Sequence, residues 1–108
     1  MTNKELLTLA AKAAGYIPAG ESKDGFFLVS RDGNSTYGVW DPLDNDAQAL
    51  RLAVKLKIEL EFYDGFEEVF ATENTLEAIS QTEPYGDDPY AATRRAIVRA
   101  AAEIGRTL

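Results

Sequence analysis

The apolar period of this chain changes at Lys57, and that switch constrains the fold more than any other feature. Upstream, between Asn45 and Leu56, apolar residues recur at helical spacing. Downstream, Ile58, Leu60 and Phe62 alternate with Glu59, Glu61 and Tyr63. Helical spacing lets a helix bury one stripe, whereas strict alternation lets a strand bury one face and leave the other in water. A chain that carries both patterns in succession must fold as a mixture of helix and sheet. Asp64-Gly65 follows directly and turns the chain into Phe66 to Ala71, so the alternating run is predicted to be the first arm of a hairpin.

The remaining segments fit the same scheme. Thr2 and Glu5 form a capping box for a first helix, with Leu6, Leu9, Ala10 and Ala13 on its apolar face and Gly15 as its stop. Pro18 to Gly25 reads as a loop. Phe26 to Ser30 and Ser35 to Trp40 read as strands joined around Arg31-Asp32-Gly33-Asn34. A second helix starts near Asp44 to Asp46, with an Asn45/Gln48 capping box; its core side is expected to carry Ala47, Leu50, Val54 and Ala53. A short helix from Asn74 is predicted to bury Leu76 and Ile79. Glu83 to Asp88 reads as a loop. Asp88 caps a final helix from Pro89 to about Arg106, which sets Tyr90, Ile97, Ala101 and Ile104 on one face and its four arginines on or beside the exposed side.

The predicted fold is therefore α+β: an antiparallel sheet of about four strands, in two hairpins, with two to three helices packed on one face. With 108 residues and no linker or repeat, residues 1–108 are expected to form a single domain. The longest run of hydrophobic residues, Phe26 to Val29, is far below the ~20 a membrane-spanning helix needs. Leu6 to Ala11, flanked by Glu5 and Lys12, reads as amphipathic helix rather than signal peptide, so a cytoplasmic location is expected.

Composition narrows the chemistry. The chain has neither Cys nor His, which removes thiol nucleophiles, Ser-His-Asp triads, thiolate or imidazole metal sites and histidine bases. No Walker or dinucleotide glycine motif occurs, and no cofactor is expected. The net charge of −7 is uneven: residues 1–58 balance, residues 59–88 hold ten acids and no Lys or Arg, and residues 89–108 hold four arginines and one acid. Nucleic-acid binding depends on basic residues that neutralise phosphates, so direct binding is not expected.

Several residues are candidates for function. Glu59, Glu61, Glu67, Glu68, Tyr85, Asp87 and Asp88 are the expected partner-binding set, a face that docks on a basic protein by charge complementarity; the same residues also suit a merely solubilising face. Glu67 and Glu68 across from Glu59 or Glu61 could mimic paired glycosidase carboxylates, but the hairpin offers no deep cleft. Asp41, Asp44 and Asp46 are the densest carboxylate group and suit Mg²⁺ or Ca²⁺ chemically, yet three acids at a helix start also serve as caps. Trp40 fits a binding anchor or a core wedge, and Tyr85 a partner contact or a cap on the core edge. Arg94, Arg95 and Arg99 could grip an anion or pair internally with Asp87, Asp88 or Glu103.

Two segments carry a resemblance. Trp40-Asp41-Pro42-Leu43-Asp44-Asn45-Asp46, followed by Ala49-Leu50-Arg51-Leu52-Ala53-Val54-Lys55-Leu56, resembles the W-[DN]-P-L-x-D-D-x-x-A-L-R-L-A-V-K-L segment of small phage and prophage proteins of unknown function. The run from Thr93-Arg94-Arg95 to Ile104-Gly105 is similar to the ending of the same group. Asn45 stands where that group has Asp, which weakens a metal-binding reading there. The resemblance implies a phage or prophage origin and an accessory role, and supplies no catalytic residues. The expected function is thus non-enzymatic binding of a basic host protein through residues 59–88. A small Mg²⁺- or Ca²⁺-dependent carboxylate enzyme and a self-associating structural protein are the competing classes.

Overall fold

A computed structural model describes residues 1–33 and 37–108. The elements run α1 (Asn3–Ala13), β1 (Ile17–Glu21), β2 (Phe27–Ser30), β3 (Tyr37–Val39), α2 (Asp46–Leu56), β4 (Glu59–Tyr63), β5 (Glu68–Thr72), β6 (Ser80–Pro84) and α3 (Pro89–Arg106). The class is α+β as expected, with three helices. The strands, however, form two three-stranded antiparallel sheets, β1-β2-β3 and β4-β5-β6, instead of one four-stranded sheet. The body measures 47 × 32 × 23 Å.

Both extra strands come from segments that lack a strand-like pattern. The predicted loop from Pro18 to Gly25 holds all of β1 but its first residue, and Ile17 and Pro18 of that strand pair with Ser30 and Val29 of β2. Pro18 is tolerated because β1 is a sheet edge, where a missing N–H breaks no ladder. The register shifts between Pro18 and Glu21, and Gly20 supplies the left-handed residue there (φ +87°). The true loop is confined to Ser22 through Phe26, closed by the Phe26 N–H donating to Ser22 Oγ at 3.0 Å.

The predicted helix from Asn74 does not form. Residues 74–79 make a turn closed by the Glu73 N–H donating to the Ile79 carbonyl at 3.2 Å, and the chain continues into β6 along β5. Leu76 is fully exposed, so a helix here has no surface to pack on. The predicted loop from Glu83 therefore begins inside a strand. Asn34, Ser35 and Thr36, part of the first predicted hairpin, lie outside the described residues.

The helix ends follow the sequence closely. Thr2 and Glu5 make a reciprocal capping box, Asn45 accepts from the Gln48 N–H, and Asp88 accepts from the Tyr90 and Ala91 N–H groups. The helix faces do not follow it as well. α1 buries Leu6, Leu7, Ala10 and Ala11, and Leu9 and Ala13 sit at the margin. α2 buries Ala49, Leu52 and Ala53, whereas Leu50 and Val54, expected in the core, are 61% and 60% exposed. Ala47 is exposed as well.

The core is built around α3, which buries Ala92, Ala96, Ile97, Val98, Ala100, Ala101, Ala102 and Gly105. α1 lies along it in the same direction: Arg95 Nη1 donates to Asn3 Oδ1 at one end (3.0 Å), and Lys12 Nζ donates to the Leu108 carbonyl at the other (2.9 Å). The approach is close enough that a Cβ built on Gly105 stands 2.0 Å from the Leu9 carbonyl oxygen. The first sheet packs on α1, and β5 and β6 pack on α3. Gly105→Ala must therefore separate the two helices or bend one of them. It should lower stability by about 1–3 kcal/mol or more, read as a fall in melting temperature; an unchanged melting temperature contradicts this packing.

Candidate functional site

The hairpin of β4 and β5 positions the acidic residues. Pairing runs unbroken from Glu59 opposite Thr72, through Glu61 opposite Phe70, to Tyr63 opposite Glu68. β6 extends each row with Ser80, Thr82 and Pro84. Side chains alternate across a sheet, so Glu59, Glu61, Tyr63, Glu68, Phe70 and Thr72 share one face. The opposite face carries Leu60, Phe62, Val69 and Ala71, with Gln81 and Glu83 beside them; α3 packs on the β5 and β6 part of it.

On the outer face the rings of Tyr63 and Phe70 lie 4.9 Å apart, tilted by 52°. The Tyr63 hydroxyl donates to Glu61 Oε2 at 2.8 Å, and that bond together with the Glu61 charge pushes the phenol pKa above its usual value. Thr72 and Ser80 share a hydrogen bond of 2.7 Å. Among the described residues, none of Glu59, Glu61, Glu67 or Glu68 is ion-paired. The other acids of the base-free segment are treated differently. Glu83, on the inner face, accepts from Arg99 and pairs with Arg95 at 3.5 Å. Glu73 is buried and accepts the Thr75 hydroxyl.

Of the seven residues expected to form the contact surface, Glu59, Glu61 and Glu68 therefore share one sheet face. Glu67 sits in the hairpin loop in a left-handed conformation (φ 52°), and its carbonyl accepts the Tyr85 N–H at 2.8 Å. Tyr85 is half-buried against the core, and its hydroxyl donates to Asp64 Oδ1 at 3.1 Å. Burial, that bond and the nearby carboxylates of Asp64 and Glu67 raise the phenol pKa. Tyr85 thus ties the end of the hairpin to the chain entering α3. Asp87 is exposed beside it, and Asp88 serves as the α3 cap.

The Asp41-to-Asp46 segment has a structural role. Trp40 is buried edge-on to Tyr16, with ring centroids 5.7 Å apart, and Pro42 is fully buried. The Gln48 side chain does not complete a capping box: its oxygen accepts from the Asp41 N–H, and its nitrogen donates to the Val39 carbonyl at 3.1 Å. Arg94 reaches across from α3, with Nε donating to the Leu43 carbonyl at 2.7 Å and Nη1 to Asp46 Oδ1 at 2.6 Å. Among the described residues, no group of three or more His, Cys, Asp or Glu is arranged to hold a metal ion. The arginines pair internally, but with Asp46 and Glu83 instead of Asp87, Asp88 or an Arg99–Glu103 bridge; Glu103 pairs with Arg106.

A second surface feature lies on the other side of β4. A groove of about 470 Å³ is lined by Leu50 of α2, Phe62 of β4 and Pro89, Tyr90 and Thr93 of α3, with the Arg94–Asp46 pair at its margin. Phe62 and Tyr90, both expected in the core, are 57% and 72% exposed. The sequence marks these residues as apolar and periodic, and that same signal makes them read as core. For Tyr63 the sequence carries a signal, because strand alternation sets it on the face of Glu59 and Glu61; the pairing of Phe70 with Glu61 depends on a four-residue loop, 64–67, that Asp64-Gly65 alone does not specify.

No protein-family model matches the chain, and neither a curated protein nor a solved structure does. Among the described residues, no helix is long and apolar enough to cross a membrane.

One titration tests the Asp41 environment. Burial foremost, then the neighbouring Asp44, raises the Asp41 carboxyl pKa above its usual value. The fold therefore holds this proton more tightly than the unfolded chain does. The ionised carboxylate costs stability above the raised pKa, and the cost disappears as pH falls below the ordinary aspartate value of ~3.9. The stability of Asp41→Asn relative to the parent should rise with pH through this range in urea unfolding. A difference that is flat with pH contradicts the assignment.

Proposed function

We propose that this chain is a non-enzymatic accessory protein of phage or prophage origin that binds a basic protein partner through the outer face of its second sheet. The observation that carries the reading is the β4–β5 register, which gathers Glu59, Glu61 and Glu68 around the Tyr63–Phe70 ring pair on a face where, among the described residues, no base pairs with them. Carboxylates on a low-dielectric sheet steer and orient a cationic partner, and the exposed Tyr63 ring with the half-buried Phe70 beside it supplies area that gains from being desolvated. Glu67 and Asp87 extend the same charge around the end of the hairpin.

The chemistry of the face suits a basic host factor, such as the nucleic-acid-binding surface of a host protein, met in the cytoplasm of the bacterial host. A polyanion is repelled by it. The reading of Asp41, Asp44 and Asp46 as an enzyme's metal site receives no support from the geometry, because Asp46 is held by Arg94 and Asp41 lies partly buried against the α2 start.

Immobilised protein should retain a basic partner from host lysate at low salt and release it as added salt shortens the Debye length from ~10 Å at 0.1 M toward ~3 Å at 1 M. Glu59→Lys/Glu61→Lys, two changes at exposed positions, should weaken the complex at least about tenfold by calorimetry with the purified partner. Binding of unchanged strength after this charge reversal contradicts the reading.

A further inference from the structure

β4 is the edge of its sheet. It pairs with β5 on one side and, among the described residues, with no strand on the other. Natural edges are usually guarded by charged side chains, proline, a bulge or a covering element. β4 has no Pro, its register with β5 is unbroken and α3 packs on β5 and β6, so its guard is the charge of Glu59 and Glu61, which repels an identical strand and admits a basic one. The groove of about 470 Å³ runs beside this edge on the inner side, walled by Leu50, Phe62, Pro89 and Tyr90. Val54 stands one turn beyond Leu50 on the same side of α2, also exposed. Clustered exposed apolar side chains around a concavity next to an unpaired strand are the usual marks of a docking surface.

We propose that the free edge of β4 and this groove together receive an extended segment of the partner protein, added to the sheet as a fourth strand, in which basic residues alternate with large apolar ones. The inference rests on the partner-binding reading above and names the partner's chemistry. A strand laid along β4 presents its side chains alternately to the two faces of the sheet. Those on the outer face come beside Glu59, Glu61 and Tyr63, where Lys or Arg is favoured. Those on the inner face come beside Leu60 and Phe62 and enter the groove, where leucine or an aromatic ring is favoured.

Charge selects among the occupants. A second copy of this chain, paired through its own β4, sets glutamates against glutamates across the new ladder, and like charges directly opposite are destabilising. A helix laid in the groove leaves the backbone edge unpaired and does not reach the outer glutamates. β4 is five residues long, so the bound segment spans about 17 Å at ~3.4 Å per residue.

The test uses two synthetic peptides of equal length and charge, one alternating Lys with Phe or Leu and one alternating Lys with Ser, titrated into the full chain followed by backbone NMR and calorimetry. The Lys/Phe peptide should bind at least about tenfold more tightly than the Lys/Ser peptide. It should slow exchange at the β4 edge amides and shift the signals of Leu50, Phe62 and Tyr90. Leu50→Gln and Tyr90→Ala, both at exposed positions and each checked for an unchanged melting temperature, should remove that preference and leave Lys/Ser binding as it was. N-methylation of the peptide at its edge-facing residues should abolish the tight binding; a methylated peptide that binds equally well overturns strand addition. Equal affinity for the two peptides, lost in Glu59→Lys/Glu61→Lys, overturns the groove and leaves the acidic-face reading standing. Tight Lys/Phe binding that survives the charge reversal overturns the alternation and the acidic-face reading together, and absence of binding by both peptides overturns the proposal.

Discussion

Everything in this fold hangs on the contact between α1 and α3. The two backbones approach until only hydrogen fits between Gly105 and the Leu9 carbonyl, and helical spacing sets the buried Val98, Ala101 and Ala102 on the same side of α3 as Gly105. Dispersion attraction falls steeply with a gap, so close approach supplies stability that a looser alanine interface lacks. From this axis α3 reaches out with three arginines. Arg94 fixes the start of α2, Arg95 the start of α1, and Arg99 the Thr82 carbonyl and Glu83 of β6. α3 thereby ties together elements far apart in sequence.

That arrangement divides the acidic segment by strand period. Glu83 points to the inner face and is neutralised by α3, and Glu73 is buried with Thr75. Glu59, Glu61 and Glu68 fall on the outer face, where the arginines do not pair with them. The negative charge left outside is thus a consequence of where α3 sits, and the Tyr63–Phe70 pair lies within it. The same geometry leaves β4 beyond the main cover of α3, which exposes Phe62 and opens the groove toward Leu50 and Tyr90.

What could be read from the sequence was what is decided locally. Thr2, Asn45 and Asp88 cap their helices because a side-chain oxygen meets an N–H two or three residues away. The β4–β5 hairpin was legible because alternation and Asp64-Gly65 agree. β1 and β6 were not, since Pro18-Ala19-Gly20 and Ser80-Gln81-Thr82 become strands only by pairing with β2 and β5. The buried side of α2 is rotated from the one its hydrophobicity suggests. The helix carries an Ala49/Leu52/Ala53 stripe beside a Leu50/Val54 stripe, and hydrophobicity alone favours burying the second. Packing buries the first, and the larger side chains are left at the groove. The acidic site was half legible: the charge run is plain in the sequence, but which glutamates share a face depends on register, and the groove depends on three elements meeting.

Amide hydrogen exchange across the whole chain is the most direct test of α1–α3 as the organising contact. The account predicts that the interior amides of α1 and those of α3 from Ala96 to Ala102 exchange most slowly and with the same opening free energy, because neither helix is released without global unfolding. It also predicts that edge-facing amides of β4 exchange much faster than those of β5. If α1 exchanges through a separate, lower-energy opening while α3 stays protected, the two helices do not form the common core and the account is wrong.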